Sequence, residues 1–239
     1  MTAQKPTVVL VHGAFADSSS WNGVVEKLQS HDYPVIAASN PLRGLTNDAE
    51  YVRQVVAAVD GPVVLAGHSY GGSVISNAAR GLDNVKALVF VAAFLPDEGE
   101  SAIDLSGKFP GSTLGAALRP APVTLPDGSQ VADLYIDKEK FHDQFAADVP
   151  EATTSVMAAT QRPVTDAALG EGAATPAWKE IPSWVLVATQ DQNIPPQTQK
   201  FMAQRAKATQ VEVEASHAVS VSQPGEVARL INTAATAVA

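Results

Sequence analysis

The sequence predicts an α/β protein: a mostly parallel, doubly wound sheet with a small cap inserted into it. Three observations carry this. Short runs of β-branched and aliphatic residues alternate with segments of helical apolar spacing, which is the pattern of βαβ units. The rhythm breaks between about residues 96 and 181, where Pro, Gly and charge increase, and then resumes. The chain has 239 residues with 46% hydrophobic and 17% charged side chains, enough apolar material for one sizeable core.

The elements follow in order. Thr7 to Val11 is a continuous apolar run ending at His12-Gly13, the pattern of a strand buried on both faces. Trp21, Val24, Val25 and Leu28 fall on one helical face, with Ser18, Ser19 and Ser20 as the expected N-cap. Pro34 to Ala38 reads as a second strand. Val52, Val55, Val56 and Val59 mark a helix that Gly61-Pro62 stops. Val63 to Ala66 is a third strand, Ser73 to Arg80 a third helix and Ala87 to Ala92 a fourth strand.

Within the irregular stretch, Leu125 to Ser129 reads as a turn between short strands, and Asp137–Asp148 and Glu151–Gln161 read as helices. Residues 96–181 are therefore expected to form a cap on a core of residues 1–95 and 182–239. An ordinary long connection carrying a few helices is the alternative. Trp184 to Ala188 resumes the sheet, and a helix opens at Pro195-Pro196, where a missing N–H costs nothing. Gln210 to Val213 is the last strand. Pro224 opens a C-terminal helix with Val227, Leu230, Ile231 and Ala234 on one face.

Bulk properties exclude some partners. A net charge of −9 argues against nucleic acid, whose phosphates require clustered Lys and Arg. The absence of cysteine removes disulfides and thiolate chemistry. Val8 to Val11 is too short for a signal peptide or a membrane span, so a cytoplasmic location without membrane contact is expected.

Gly67-His68-Ser69-Tyr70-Gly71 matches G-x-S-x-G, with a predicted strand before it and a helix after it. This context places Ser69 on a sharp turn at a helix N-terminus, where the dipole favours developing negative charge. A serine hydroxyl needs a base. His12, His31, His68 and His142 belong to turn motifs, a helix end or the cap. His217 lies just past the last strand, in a loop able to reach Ser69. The histidine in turn needs an acid. Asp191 follows the Trp184–Ala188 strand, giving the chain order Ser69, Asp191, His217; Asp97 is the runner-up. The backbone N–H groups of Tyr70 and Ala14 are the expected oxyanion donors, with Gly13 allowing the close turn and His12 tying the loop down. Neither G-x-G-x-x-G after the first strand nor H-E-x-x-H is present, so no cofactor or metal is expected.

Taken together, the Val9-Leu10-Val11-His12-Gly13-Ala14 string, the Ser69 elbow, the Asp191 loop and His217 resemble the α/β-hydrolase superfamily nearly end to end. Within it the chain is similar to small bacterial hydrolases akin to the plant methyl-ester esterases and hydroxynitrile lyases. The resemblance implies a core sheet lacking the first two strands of larger members. The lyases carry Thr in place of the glycine of the His-Gly turn and Lys after the catalytic histidine. Here Gly13 and Ala218 stand at those positions, which implies ester hydrolysis rather than cyanohydrin cleavage. Phe15, Phe94, Leu95, Tyr135, Phe141 and Trp178 are the expected lining of a mostly apolar pocket, with Tyr70, Phe109 and Phe145 as further candidates. The expected substrate is a small to medium carboxylic ester, and a homodimer is compatible with the sequence. Perhydrolase or haloperoxidase-type chemistry, a C–C hydrolase or lyase, and a non-catalytic ligand-binding protein are the rival readings.

Overall fold

The computed structural model describes residues 5–124 and 128–238. Six strands form one sheet: β1 (Thr7–Val11), β2 (Val35–Ala38), β3 (Val63–His68), β4 (Val85–Val91), β5 (Ser183–Ala188) and β6 (Thr209–Val213). Their order is β2-β1-β3-β4-β5-β6, and every neighbouring pair is parallel. Parallel strands need crossovers, and helices supply them. The core helices are α1 (Asn22–Gln29), α2 (Leu45–Ala57), α3 (Tyr70–Ala78), α4 (Pro196–Arg205), α5 (Val219–Ser222) and α6 (Pro224–Ala237).

Alternation along the strands divides the core. Val8 and Leu10 of β1, Val64 and Ala66 of β3 and Val89 of β4 pack with Val24 and Leu28 of α1 and Val227 and Ile231 of α6. Val9, Val11, Leu65, Leu88 and Phe90 face the other way, onto Val52 and Val56 of α2, Val74 and Ile75 of α3 and Met202 of α4. The strands are near-continuous apolar runs because both faces are covered.

Among the described residues, the chain between β4 and β5 holds five α-helices, at Ala102–Ser106, Leu114–Ala117, Phe141–Phe145, Glu151–Thr160 and Asp166–Gly170, and a 3₁₀ turn at Ala177–Lys179. It also holds a three-stranded antiparallel sheet formed by Leu118–Thr124, Gln130–Ile136 and Val164–Thr165. Leu105, Ile136, Phe141, Phe145 and Val164 of this segment belong to the same apolar cluster as the α2, α3 and α4 face of the sheet. The insertion is thus packed onto the core through a shared interior.

Three local expectations are corrected. Ser18, Ser19 and Ser20 do not cap α1; they lie in a 3₁₀ turn, Ser18–Trp21, which Asp17 caps by accepting from the Ser19 N–H at 2.7 Å. The helix expected over 137–148 is confined to Phe141–Phe145, since Asp137 and Lys140 form a turn ahead of it. The third core helix begins at Tyr70 rather than Ser73. Of the expected turn at 125–129, residues 125–127 lie outside the described residues.

β1 leads to β2 on one side and, after α2, the chain returns to β3 on the other. The strand order reverses at this point, so the loops after β1 and β3 diverge and leave a crevice at the carboxyl edge of the sheet. Those loops carry His12-Gly13-Ala14 and Ser69.

Candidate active site

Ser69 joins β3 to α3 with φ 54° and ψ −125°, a left-handed conformation rare for a side chain. Strain of this kind persists only where the surroundings over-determine it. Here the Ser69 N–H donates to Val91 O (3.3 Å), and Ser69 O accepts from Phe94 N (3.1 Å) and Gly72 N (3.0 Å). Close packing fixes the rest. A Cβ on Gly71 would lie 2.4 Å from Val11 O, and one on Gly13 would lie 2.6 Å from Ser69 Cβ. Glycine at these two positions lets the β1 loop and the serine turn touch.

His12 holds the β1 loop. The Asn40 N–H donates to its Nε2 at 3.0 Å, so the ring proton sits on Nδ1 and is directed at Gly13 O, 2.9 Å away. The Asn40 side chain donates to His12 O at 2.9 Å. Burial, with a smaller contribution from the Arg162 charge, keeps this imidazole neutral by lowering its pKa to about 4.

His217 is 1% exposed and Asp191 4%, and His217 Nδ1 lies 2.7 Å from Asp191 Oδ2. The Asp191 side chain is fixed by further hydrogen bonds. Its Oδ1 accepts from Asn193 N (2.7 Å) and Ile194 N (3.0 Å), and Oδ2 accepts a second donor, Gln199 Nε2 (2.8 Å). The Nδ1–H tautomer leaves the lone pair of His217 on Nε2. That nitrogen is buried and has no hydrogen-bond partner among the described residues, so it is not joined to the Ser69 hydroxyl here. Such bonds are often long in unliganded enzymes and close with substrate. The ring packs between Phe145, edge-on at 5.0 Å, and His68 at 4.7 Å. His68 Nε2 meets His217 O at 2.8 Å, and burial, reinforced by His217, lowers its pKa to about 3. His68 is therefore a neutral donor that ties the His217 loop to the serine turn.

Ala14, Phe15, Ser69, Tyr70 and Phe94 line one small cavity of about 40 Å³, with Ala102, Ile103, Ser106, Leu114, Leu169, Asn193 and Ile194. Tyr70 opens α3, so its N–H is among the four that a helix leaves without an intrahelical partner. Its hydroxyl points away and donates to Asp48 Oδ2 at 2.9 Å. Burial, and then the Asp48 charge, raise the phenol's pKa, so it stays protonated. Four expected lining residues, and the further candidates Phe109 and Phe145, are absent from this cavity. Leu95 is fully buried with its N–H on Met202 Sδ, Phe141 stacks on Phe145 at 5.1 Å, and Trp178 donates to Pro96 O at 2.9 Å. Tyr135 is half-buried on the antiparallel sheet, opposite Arg119. The alternative acid, Asp97, pairs instead with Lys179 at 2.5 Å. A larger groove of about 990 Å³ lies by Arg53, Asn77 and Arg80 and contains none of the expected site residues.

Sequence reasoning missed the side chains that hold the acid. Gln199 is fully buried; besides Asp191 it binds Ile194 O (2.8 Å) and accepts from Ala188 N (3.1 Å). Its signal was faint: a glutamine on the buried face of α4 shared with Thr198, Met202 and Ala203. Gln144 of the insertion donates to Asn193 Oδ1 (2.7 Å) and Gln192 O (3.1 Å).

Residues 8–230 match the model of the alpha/beta hydrolase family. The chain belongs to this family. An alpha/beta hydrolase from Aspergillus novofumigatus is 28% identical over 255 residues, covering 97% of each chain. Among solved structures, polyneuridine aldehyde esterase superposes with a TM-score of 0.84 at 20% identity, over 96% of this chain and 99% of that one. An extracellular α/β-hydrolase from a Paenibacillus species, described as sharing homology with tobacco salicylic acid binding protein 2, gives 0.74 at 23% identity over 96% and 98%. These likenesses match the expected relation to the plant esterase branch at the level of fold. No helix among the described residues is long and apolar enough to cross a membrane.

Proposed function

We propose that this α/β hydrolase is a serine esterase acting on small to medium, mostly apolar carboxylic esters. Ser69 is its nucleophile, His217 its general base and Asp191 the acid that orients the imidazole. The observation that carries this reading is the buried 2.7 Å contact of His217 Nδ1 with Asp191 beside a serine held at positive φ. Asp191 fixes the tautomer with Nε2 free to accept a proton and stabilises the imidazolium that follows.

As Ser69 Oγ attacks the ester carbonyl, His217 Nε2 takes its proton. The oxyanion is met by the N–H groups of Ala14 and Tyr70, the latter at the positive end of α3. The imidazolium then protonates the departing alcohol. Water, deprotonated by the same nitrogen, cleaves the acyl-enzyme and frees the acid. The esterase named among the structural neighbours supports the same reaction class. Gly13 supports it too: a Thr there would meet Ser69 Cβ and His68 O.

A fluorophosphonate probe should label the protein once and inhibit ester hydrolysis. Ser69→Ala should abolish labelling and lower kcat by about 10⁶-fold if the triad acts as a unit. Labelling that survives the substitution would move the nucleophile elsewhere.

A further inference from the structure

We infer that the groove between the 3₁₀ turn at Ser18–Trp21 and the Glu151–Thr160 helix is the subsite for an unbranched alkyl arm of the substrate, and that the Phe15 ring gates it. The inference rests on Ser69 being the nucleophile of an esterase. The cavity at Ser69 is about 40 Å³, room for little more than a water or two, whereas ligand sites commonly measure roughly 300–1,000 Å³. An ester with its carbonyl at Ser69 must therefore place most of its bulk elsewhere. A second cavity of about 420 Å³ also borders Phe15. Phe15 is the residue that lines both.

The chemistry of the groove fits an alkyl chain. Ala16, Val156, Met157 and Val221 line it together with neutral hydroxyl and amide side chains and Asp17, and among the described residues no Lys or Arg lines it to hold an anionic group. Val156 is 61% exposed and offers an accessible apolar side chain to the groove. Phe15 is itself at φ 61°, and its N–H donates to Arg162 O (3.1 Å) just past the Glu151–Thr160 helix. The residue after Ala14, the proposed oxyanion donor, is thus fastened beside the groove and borders both spaces, which makes its ring the proposed gate. Turning that ring joins them, with the carbonyl on one side and the alkyl arm on the other.

The test compares kcat/KM across p-nitrophenyl esters from acetyl to octanoyl, and across alkyl acetates from methyl to octyl. One series shows which arm, acyl or alcohol, lies in the groove. In that series each methylene moved out of water should raise kcat/KM by about two- to fourfold until the groove is full. Val156→Trp, on the exposed helix face, should fill the groove and cut the octyl-to-short-chain ratio by about tenfold or more, the burial of two or three methylenes. Phe15→Ala should open the gate and raise the same ratio. A ratio unmoved by both variants in both series, with ester hydrolysis and Ser69 labelling intact, overturns the groove and leaves the esterase reading standing. Absence of ester hydrolysis and of labelling in the wild-type protein overturns both.

Discussion

Replacing Asp191 with Asn tests the triad more sharply than deleting a residue, because shape is kept and only charge and one acceptor change. The amide has two ways to sit. With its NH₂ toward the loop, it faces the N–H groups of Asn193 and Ile194, leaving two buried donors unpaired at about 1–3 kcal/mol each. With its NH₂ toward His217, the loop keeps both bonds, and Gln199 loses one partner but keeps Ile194 O. The second arrangement is cheaper, about 1–3 kcal/mol in total, and is the one the protein should adopt. Its chemical price is the tautomer. His217 Nδ1 must now accept, so its proton moves to Nε2, the atom that receives the proton of Ser69 in the proposed mechanism. Turnover of an ester should then fall by about 10⁴-fold, equivalent to about 5.5 kcal/mol of barrier, while the fold survives. Steady-state kinetics beside urea denaturation separates the two effects. Asp97→Asn, which removes an exposed ion pair with Lys179, should change stability by less than about 1 kcal/mol and leave turnover alone. A folded Asp191→Asn protein within tenfold of wild-type kcat would refute the reasoning, as would an Asp97→Asn protein that is the more impaired.

Two further outcomes follow. Gln199→Ala removes one of the two donors on Asp191 Oδ2 and orphans Ala188 N–H, so stability should drop by about 1–3 kcal/mol. With Asp191 less firmly held, kcat for an ester should fall while KM changes little; an unchanged kcat in the folded variant would make Gln199 a packing residue alone. His12 and His68 are held near pKa 4 and 3, below about 6.5 for an unfolded histidine, so the unfolded chain binds their protons first. Their contribution is intact above pH 6.5 and is lost as pH falls toward 4, on the order of 3 kcal/mol for His12 alone. Urea midpoints should fall across that range, and His68→Gln should blunt the fall; equal slopes for the two proteins would contradict it.

The sheet was legible because its strands are buried on both faces and so read as unbroken apolar runs, as at Val8–Val11 and Val63–Ala66. The serine turn was legible because glycine is demanded on either side of it by contacts such as Gly71 against Val11 O. Less could be read where polarity rather than periodicity decides the structure. The Ser18–Ser20 cluster offered three capping side chains, yet Asp17 took the role and a 3₁₀ turn formed. Pocket lining was the least legible. Aromatic residues such as Phe141 and Trp178 are also what an interior needs, and sequence does not distinguish a ring facing a cavity from one packed against Phe145 or anchored to Pro96 O. The supports of Asp191 were hidden for a related reason: Gln144 and Gln199 are ordinary surface residue types until burial makes each hydrogen bond matter.

The segment between β4 and β5 also holds the loops of Asp191 and His217. Ser112 binds Asn193 O, Thr113 N–H binds Gln192 O, and Gln144 grips both residues, so the turn beside Asp191 hangs partly on side chains outside the sheet. Ala218 N–H, beside His217, is likewise fastened to Phe145 O. Replacing this segment with a foreign one would loosen the Asp191 and His217 loops, unless the graft brings equivalent fastenings with it.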